Sequence, residues 1–313
     1  MGKSSRTKAR DTSVTPGEVG PRQPCPCGSG RRYKACHGAP GGAPEVFVGR
    51  PFEGLPSECD VVALRELVPA ATAPLTLADG VGDGRPVQLC SLLPMAAPAM
   101  VRESGQIWLG LQVQHNFGDP ARDLGAVLLK ALETEEPGIV GLTDPPGEGP
   151  RLQDLVVGDR LDVTVHEGFE YWIADVDDKD GMAAALEQAN EAASPSARLT
   201  TVEAAYWTDV GTREHLRWVL PYDEEPLLDA LARLHAAGKD VVAEGSRFVG
   251  MFRAHGLLVP VWDLPSGTGA EALEEPAARL HRDLEAARAE TSPLTPDERA
   301  ARNGLANRQL TLR

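Results

Sequence analysis

The chain has 313 residues, of which 42% are hydrophobic and 25% charged, so its composition is that of an ordinary globular protein. This composition excludes a collagen-like chain, a coiled coil and a fully disordered chain. The net charge of -15 disfavours binding of the whole protein to nucleic acid or to anionic membranes. The charge is unevenly divided, because residues 1–40 carry +6 and the rest of the chain carries -21.

The sequence has no apolar stretch long enough to cross a membrane, and the first forty residues lack the apolar run of a signal peptide. We therefore expect a cytoplasmic protein with no membrane insertion. Three of the five cysteines lie within twelve positions. An odd number of clustered cysteines fits a reducing compartment and a metal site better than a disulfide framework.

The clustered cysteines form a Cys-x-Cys pair that is followed, eight residues later, by an adjacent Cys-His pair. Zinc prefers four tetrahedral thiolate and imidazole ligands, and a closed set of four leaves no position for a catalytic water. Gly28 and Gly30 permit a tight turn between the two pairs. The pattern predicts a structural Zn²⁺ site. The alternative, a loop of unliganded thiols, is disfavoured because so short a segment cannot bury a core without metal.

Residues 25–38 resemble the SEC-C motif, the zinc-binding element at the C-terminal end of the SecA preprotein-translocation ATPase and in many otherwise unrelated bacterial proteins. The match includes the Gly-Ser-Gly turn, the basic residues after it and Tyr33. By this resemblance, the zinc ligands are Cys25, Cys27, Cys36 and His37.

The SEC-C element of SecA contacts the acidic surface of the chaperone SecB and also the ribosome. The present chain has no phosphate-binding loop, so the resemblance implies zinc binding and docking but not the SecA motor. Arg31, Arg32 and Lys34 are the expected partner-binding residues. Their charge suits an acidic protein surface or a ribosome-associated RNA, and an intramolecular contact with the acidic body is also open.

Composition divides the chain into five parts. We expect a disordered basic arm over residues 1–22, the zinc knuckle over 23–40, a Gly- and Pro-rich linker over 41–56, a folded body over 57–265 and a helical tail over 266–313.

The first half of the body alternates helical and strand patterns. Asp119 and Pro120 supply an N-cap and a first-turn proline for a helix that ends before Pro137. The clearest strand pattern, at residues 106–114, predicts one buried face. Further predicted elements are a helix at 60–68, strands at 75–77 and 87–93, a hairpin formed by 161–165 and 169–173, and a helix at 181–193.

The second half repeats this alternation without sequence identity to the first. Its predicted elements are a hairpin of residues 206–208 and 215–220, a helix at 226–237, amphipathic turns at 248–255, a strand at 257–262 and a helix at 271–290. Thr295 and Glu298 have capping-box spacing and predict a last helix. Paired strands followed by helices predict an α+β fold, with antiparallel sheets covered by helices on one face and two similar halves as an option.

The order of the segments also resembles a family of uncharacterised proteins from high-GC Gram-positive bacteria, in which a SEC-C element precedes a body of this size. Residues 51–56, 62–75 and 308–313 carry this resemblance. The family has no known activity, so the resemblance implies an architecture and no function.

Other candidate sites have simpler explanations. The acidic segment 175–181 is spaced almost like a calcium loop, but Lys179 occupies a ligand position. His166 with Glu167, and Glu214 with His215, are the candidate acid–base pairs, although each fits an ordinary strand or turn. The remaining cysteines, Cys59 and Cys90, are expected as core thiols, and the five tryptophans are expected in strands of the core.

These patterns favour a non-enzymatic cytoplasmic adaptor, whose zinc knuckle docks on an acidic protein or a ribosome-associated partner. One alternative is an enzyme with hydrolytic or nucleotide-related activity in the body. That alternative predicts a cleft near His166, Glu167 or His215 that holds polar side chains with perturbed pKa values. The other alternative is nucleic-acid binding through the basic ends of the chain.

Overall fold

The computed structural model describes residues 20–23, 32–35, 48–174 and 183–307. Within these ranges the chain forms seven α-helices and two β-sheets, which confirms the α+β class. Residues 1–19 of the predicted arm, the four predicted zinc ligands and the acidic segment 175–181 lie outside the described residues.

The first sheet has the strand order β5-β3-β4-β2-β1-β6, with β7 paired to β1. Its strands are β1 (Ala71–Leu77), β2 (Val87–Cys90), β3 (Ala99–Val101), β4 (Ile107–Gly110), β5 (Gly138–Val140), β6 (Val156–Val157) and β7 (Thr164–Val165). Strands β2 and β4 are parallel, so this sheet is mixed where an antiparallel one was expected. The reason is that β3 does not pair with β2, and the chain turns back at Gly105 (φ +83°) to place β4 between β3 and β2.

Four helices accompany the first sheet: α1 (Glu58–Glu66), α2 (Pro120–Leu132), α3 (Leu152–Leu155) and α4 (Ala183–Ala192). Helix α2 begins as predicted, because the Asp119 side chain accepts a hydrogen bond from the backbone N–H of Arg122 and Pro120 occupies the first turn. Its apolar face, with Leu124 and Val127, packs on β3 and β4.

The second sheet is antiparallel throughout, with the order β11-β12-β10-β9-β8. Its strands are β8 (Ser196–Arg198), β9 (Ala205–Asp209), β10 (Glu214–Trp218), β11 (Arg247–Ala254) and β12 (Leu257–Leu264). The predicted β9–β10 hairpin is confirmed. Helices α5 (Glu224–Ala236), α6 (Glu274–Ala289) and α7 (Pro296–Ala306) cover one face, and α7 begins with the predicted capping box at Thr295. The two sheets differ in strand order, so the halves do not share one topology.

Both faces of the central strands are buried. In β12, Val259 and Val261 pack into the core that contains α1, whereas Leu258 and Trp262 pack with α5 and α6. Strand β4 is buried on both faces too, so the prediction of a single buried face was incomplete. Continuous apolar runs are what such doubly covered strands require.

Two predicted elements are wrong. Residues 248–254 lie in strand β11 and His255 follows its end, so the predicted helical turns do not form. A register shift between Phe248 and Gly250 interrupts the strand alternation, which is why the apolar residues have helix-like spacing. Residues Glu170–Ile173 form a 3₁₀ turn, not the second strand of a hairpin. There Phe169 and Trp172 fill a cluster on the far face of the first sheet, and this packing overrides their strand propensity.

The packed core includes residues before and after the predicted body, residues 57–265. Phe52 and Leu55 are buried in the first core, at the end of the predicted linker. Leu280, Leu284 and Leu305 are buried in the second, within the predicted tail. In the part of the chain that the structure describes, no helix combines the length and apolar character needed to cross a bilayer.

Gly125 lets α2 pack against the chain that precedes α3. A Cβ added there would lie 2.5 Å from the carbonyl oxygen of Pro150. We therefore expect Gly125→Ala to destabilise the fold by about 1–3 kcal/mol despite alanine's better helix propensity. Gly304→Ala in α7 is the matched control, because its Cβ would meet open space and it is expected to stabilise by about 0.5–1 kcal/mol. Urea unfolding measures both, and equal effects would contradict the packing argument.

Candidate functional site

Two short described segments flank the cysteine motif and are hydrogen-bonded to each other. The N–H of Tyr33 donates to the carbonyl of Gln23 at 2.8 Å, and the N–H of Lys34 donates to the carbonyl of Pro21 at 3.0 Å. Gln23 lies just before the Cys-x-Cys pair and Lys34 just before the Cys-His pair. These bonds therefore bring together the stretches that lead into the two halves of the predicted ligand set.

The donor set fits a structural zinc ion by its chemistry, with three thiols and one imidazole in the chain. Cys25, Cys27, Cys36 and His37 lie outside the described residues, so their geometry carries no argument. Within the described ranges, no group of three or more His, Cys, Asp or Glu side chains is arranged to hold a metal ion.

The predicted partner-binding residues are only partly described. Arg32 and Lys34 are exposed, on either side of the half-buried Tyr33, whereas Arg31 lies outside the described residues. Lys34 lies on a short 3₁₀ turn (Tyr33–Ala35) and Arg32 directly precedes it, so both exposed cations suit contact with an anionic surface.

A separate pocket of about 270 Å³ lies in the first half of the body, where α1 ends and α2 begins. Its walls are mostly apolar, and they include Val113, Phe117, Leu124, Val127, Ile139 and Leu142. The chain enters the body beside it, since the N–H of Val48 donates to the carbonyl of Gly118 at 3.2 Å. The volume suits a small ligand or a single side chain of a partner.

Arg65 is the buried cation of this pocket. Its side chain is only 8% exposed, and one guanidinium N–H group donates to the carbonyl of Leu111. Its Nε atom has no hydrogen-bond partner among the described residues and lies 3.6 Å from a carboxylate oxygen of Glu66. Glu66 is also shared, because His255 contacts the same oxygen at 2.8 Å. The guanidinium is thus buried with incomplete compensation, which is energetically costly.

Asp123 is the acid of the pocket. Burial raises its pKa to about 6, and the nearby charge of Asp119 adds to this, while the backbone N–H of Phe117 opposes it with a 2.7 Å hydrogen bond. Arg65 and Arg122 also act to lower the pKa. A carboxyl group that changes its charge near neutrality makes the binding properties of the pocket dependent on pH.

The rim of the pocket is strained and apolar. Met95 (φ +58°) and Ala96 (φ +52°) both adopt the left-handed conformation that is unfavourable for residues with a side chain. Met95 is 74% exposed and Ile139 is 45% exposed, although both line the pocket. Strained backbone beside exposed apolar side chains is typical of binding sites.

The raised pKa of Asp123 predicts a pH-dependent stability. Between about pH 4 and pH 6 the unfolded carboxyl group ionises while the folded one retains its proton, so this group's contribution to stability falls as pH rises. Asp123→Asn cannot ionise, and its amide oxygen can keep the bond from Phe117. We expect its gain in melting temperature over the wild type to grow from about pH 5 to about pH 7.5. Thermal unfolding at both pH values checks this, and a gain independent of pH would contradict it.

The two predicted acid–base pairs do not lie in the pocket. Nε2 of His166 is 2.9 Å from Oγ1 of Thr72, and burial lowers its pKa. Glu214 does not pair with His215; it accepts hydrogen bonds from Trp207 and from the backbone of Gly267 and Gly269. Burial and the charges of Arg217 and Arg213 lower the pKa of His215. Asp263, which lies 3.1 Å from Nδ1 of His215, opposes this effect. These contacts favour structural roles.

The predictions for the remaining thiols and tryptophans are largely confirmed. Cys59 and Cys90 are free and buried. Four of the five tryptophans lie in strands, and Trp172 lies in the 3₁₀ turn. Arg65 and Asp123 were missed by the sequence analysis. Two sequence features could have indicated them. Arg65 directly follows the apolar stripe of α1, and Asp123 lies one turn after the N-cap of α2.

The fold and the sites define a class: an α+β protein in which a cysteine motif of the zinc-binding type precedes a two-sheet body with a ligand-sized pocket. Residues 51–313 match the model of a family of unknown function (DUF5926), and residues 22–39 match the SEC-C motif. The chain therefore belongs to the DUF5926 family and carries a SEC-C motif ahead of the family's domain, as the sequence predicted. No curated protein and no solved structure matches the chain.

Proposed function

We propose that this protein is a non-enzymatic cytoplasmic adaptor whose SEC-C knuckle binds a structural zinc ion and docks on an acidic protein surface. The observation that carries the proposal is the SEC-C match at residues 22–39, which contains three cysteines, a histidine and a cluster of basic side chains. The hydrogen bonds of Tyr33 and Lys34 to residues 21 and 23 support a compact module. The zinc ion would be held by Cys25, Cys27, Cys36 and His37 and would fix the turn that presents the cations.

The charge distribution supports an acidic protein surface over RNA as the partner. The body and tail carry -21 against +6 in residues 1–40, so an extended polyanion would be repelled by most of the molecule. A localised acidic patch can contact the knuckle alone. One of the C-terminal arginines is engaged within the fold, because Arg302 binds Asp229 and Glu225 of α5. This weakens the alternative of nucleic-acid binding through both basic ends.

The pocket supports binding more strongly than catalysis. Its lining includes the perturbed groups Arg65 and Asp123 but no serine, threonine, cysteine or lysine, within the residues that the structure describes. It thus supplies a titrating acid without a hydroxyl, thiol or amine nucleophile. The groups that the enzyme alternative required, His166, Glu167 and His215, are not among its lining residues.

We expect reversal of the knuckle charges to abolish docking on an acidic probe. Arg31→Glu, Arg32→Glu and Lys34→Glu, combined in the full chain, change the charge by six units. They are expected to weaken binding of labelled polyglutamate, used as a short peptide that represents a localised acidic patch, at least tenfold at low salt. Fluorescence anisotropy measures the affinity. Lys239→Glu, an exposed site on the body, is the matched control and is expected to retain binding.

A second titration with a single-stranded RNA oligonucleotide separates the two partner classes. Tighter binding to the RNA than to polyglutamate, with a steep loss on added salt, would replace the acidic-protein proposal with nucleic-acid binding. Equal affinity of the triple variant and the wild type for polyglutamate would end the docking proposal.

A further inference from the structure

We propose that the pocket between α1 and α2 binds a small organic carboxylate with an apolar body. The site is independent of the zinc knuckle, and it is built from described residues of the DUF5926 domain. The charge requirement of Arg65, the apolar walls and the position of α2 carry the proposal together.

The guanidinium of Arg65 needs an anion that the described residues supply only in part. It is always charged, it is 8% exposed, and its Nε has no hydrogen-bond partner among the described residues. A carboxylate matches the planar array of guanidinium donors and can accept two hydrogen bonds from it. A bound carboxylate would therefore remove a desolvation cost that the ligand-free fold carries.

Helix α2 favours the same charge. Its first turn contributes Pro120, Asp123 and Leu124 to the pocket, so the positive end of the helix dipole lies at the pocket wall. Asp119, the N-cap, is neutralised by Arg151 through two hydrogen bonds of 2.8 and 2.9 Å. Among the acidic groups near the first turn, Asp123 is the one that lines the pocket and would oppose an anion there.

The walls define the other end of the ligand. Val113, Phe117, Val127 and Leu142 line the pocket, and Ile139 and the exposed Met95 stand at its rim. Burial of apolar surface contributes roughly 25 cal/mol per Å², so a chain of a few methylene groups adds useful affinity. A volume of about 270 Å³ limits the ligand to a small acid, without a nucleotide or a long lipid.

The charges around the ligand predict how pH changes its binding. Arg65 and Glu66 lie on the α1 side, Asp119, Arg122 and Asp123 on α2, and His115 on the intervening loop. Protonation of Asp123 removes the negative charge that opposes an anion in the pocket. Between about pH 7.5 and pH 5.5 a free carboxylate stays ionised, so its binding is expected to strengthen as pH falls.

Three probes of one chain length test the charge preference: hexanoate, hexanamide and hexylamine, each titrated into the full chain and followed by NMR shifts of methyl groups. We expect hexanoate to bind at least tenfold more tightly than the other two at about pH 5.5. Shifts are expected for Val127 and Leu142 and not for Leu231 of α5, which lies in the other core.

Two variants distinguish a site from general apolar binding. Arg65→Met is expected to reduce hexanoate affinity at least tenfold and to leave hexanamide unchanged. Asp123→Asn is expected to tighten hexanoate binding at about pH 7.5 and to reduce the pH dependence of that binding. This variant tests the site independently if Arg65→Met does not fold. Tighter binding of hexylamine would assign the site to amines through Asp123. Equal binding of all three probes, or of none, would overturn the proposal.

Discussion

Asp60→Ala is expected to destabilise the protein by about 3–5 kcal/mol, because it leaves a buried arginine without its counter-ion. The Asp60 side chain is 3% exposed and the Arg198 side chain 12%. Nε and Nη2 of Arg198 donate to the two carboxylate oxygens at 2.9 and 3.0 Å, and the hydroxyl group of Tyr206 donates to the first of them at 2.7 Å.

This network joins the two halves of the body. Asp60 lies on α1, which packs with the first sheet, whereas Arg198 and Tyr206 are cross-strand neighbours on β8 and β9. Burial and the carboxylate together raise the pKa of Tyr206 well above its ordinary value, so its proton stays available for the bond. Loss of Asp60 would therefore weaken the contact between the sheets and also the packing of α1.

Urea unfolding of three variants tests the account. Tyr206→Phe removes one hydrogen bond and is expected to cost about 1 kcal/mol. The double variant Asp60→Leu, Arg198→Met removes both charges and is expected to recover much of the loss seen in Asp60→Ala. An unchanged urea midpoint for Asp60→Ala would show that the network contributes no stability.

Cys36→Ser is expected to abolish tight zinc binding. Replacing one thiolate by a hydroxyl group leaves three protein ligands, whereas structural zinc sites require four. The apparent binding free energy of such sites is about 10–16 kcal/mol at neutral pH and also drives local folding. We expect one zinc ion for each wild-type chain and a strong reduction in the variant.

The matched control is Cys59→Ala. Burial, mainly, and the neighbouring charges of Glu58 and Asp60 raise the pKa of the Cys59 thiol to about 12, so it stays protonated and is a poor metal ligand. Elemental analysis of purified protein is expected to give the same zinc content for Cys59→Ala and the wild type. Zinc retained in Cys36→Ser but lost in Cys59→Ala would move the metal to the body.

The elements that sequence predicted well depend on local signals. The N-cap and proline at the start of α2, the turn between β9 and β10 and the capping box of α7 each lie within a few residues of chain. The elements predicted wrongly depend on distant packing. The bulge in β11 matters only because β12 fixes its register, and Phe169 and Trp172 form a turn because they fill a cluster with Trp108.

The same contrast applies to the candidate sites. The cysteine motif was identifiable because its four donors occur within thirteen residues, and spacing alone points to zinc. The pocket was not identifiable from the sequence, because Arg65, Asp123 and Ile139 come from three elements that are separated along the chain. Their proximity follows from the parallel β2–β4 pair and the position of α2, which no local pattern specifies.

The proposed docking module depends on zinc for its structure, and the zinc dependence of polyglutamate binding by the full chain tests this. We expect the wild type to bind, the double variant Cys27→Ser, Cys36→Ser to lose at least tenfold in affinity, and Cys59→Ala to bind normally. The double variant keeps every basic side chain, so its loss would assign docking to the zinc-ordered knuckle. Undiminished binding by the double variant would contradict the zinc dependence. It would show that the basic side chains bind polyglutamate without a zinc-ordered structure.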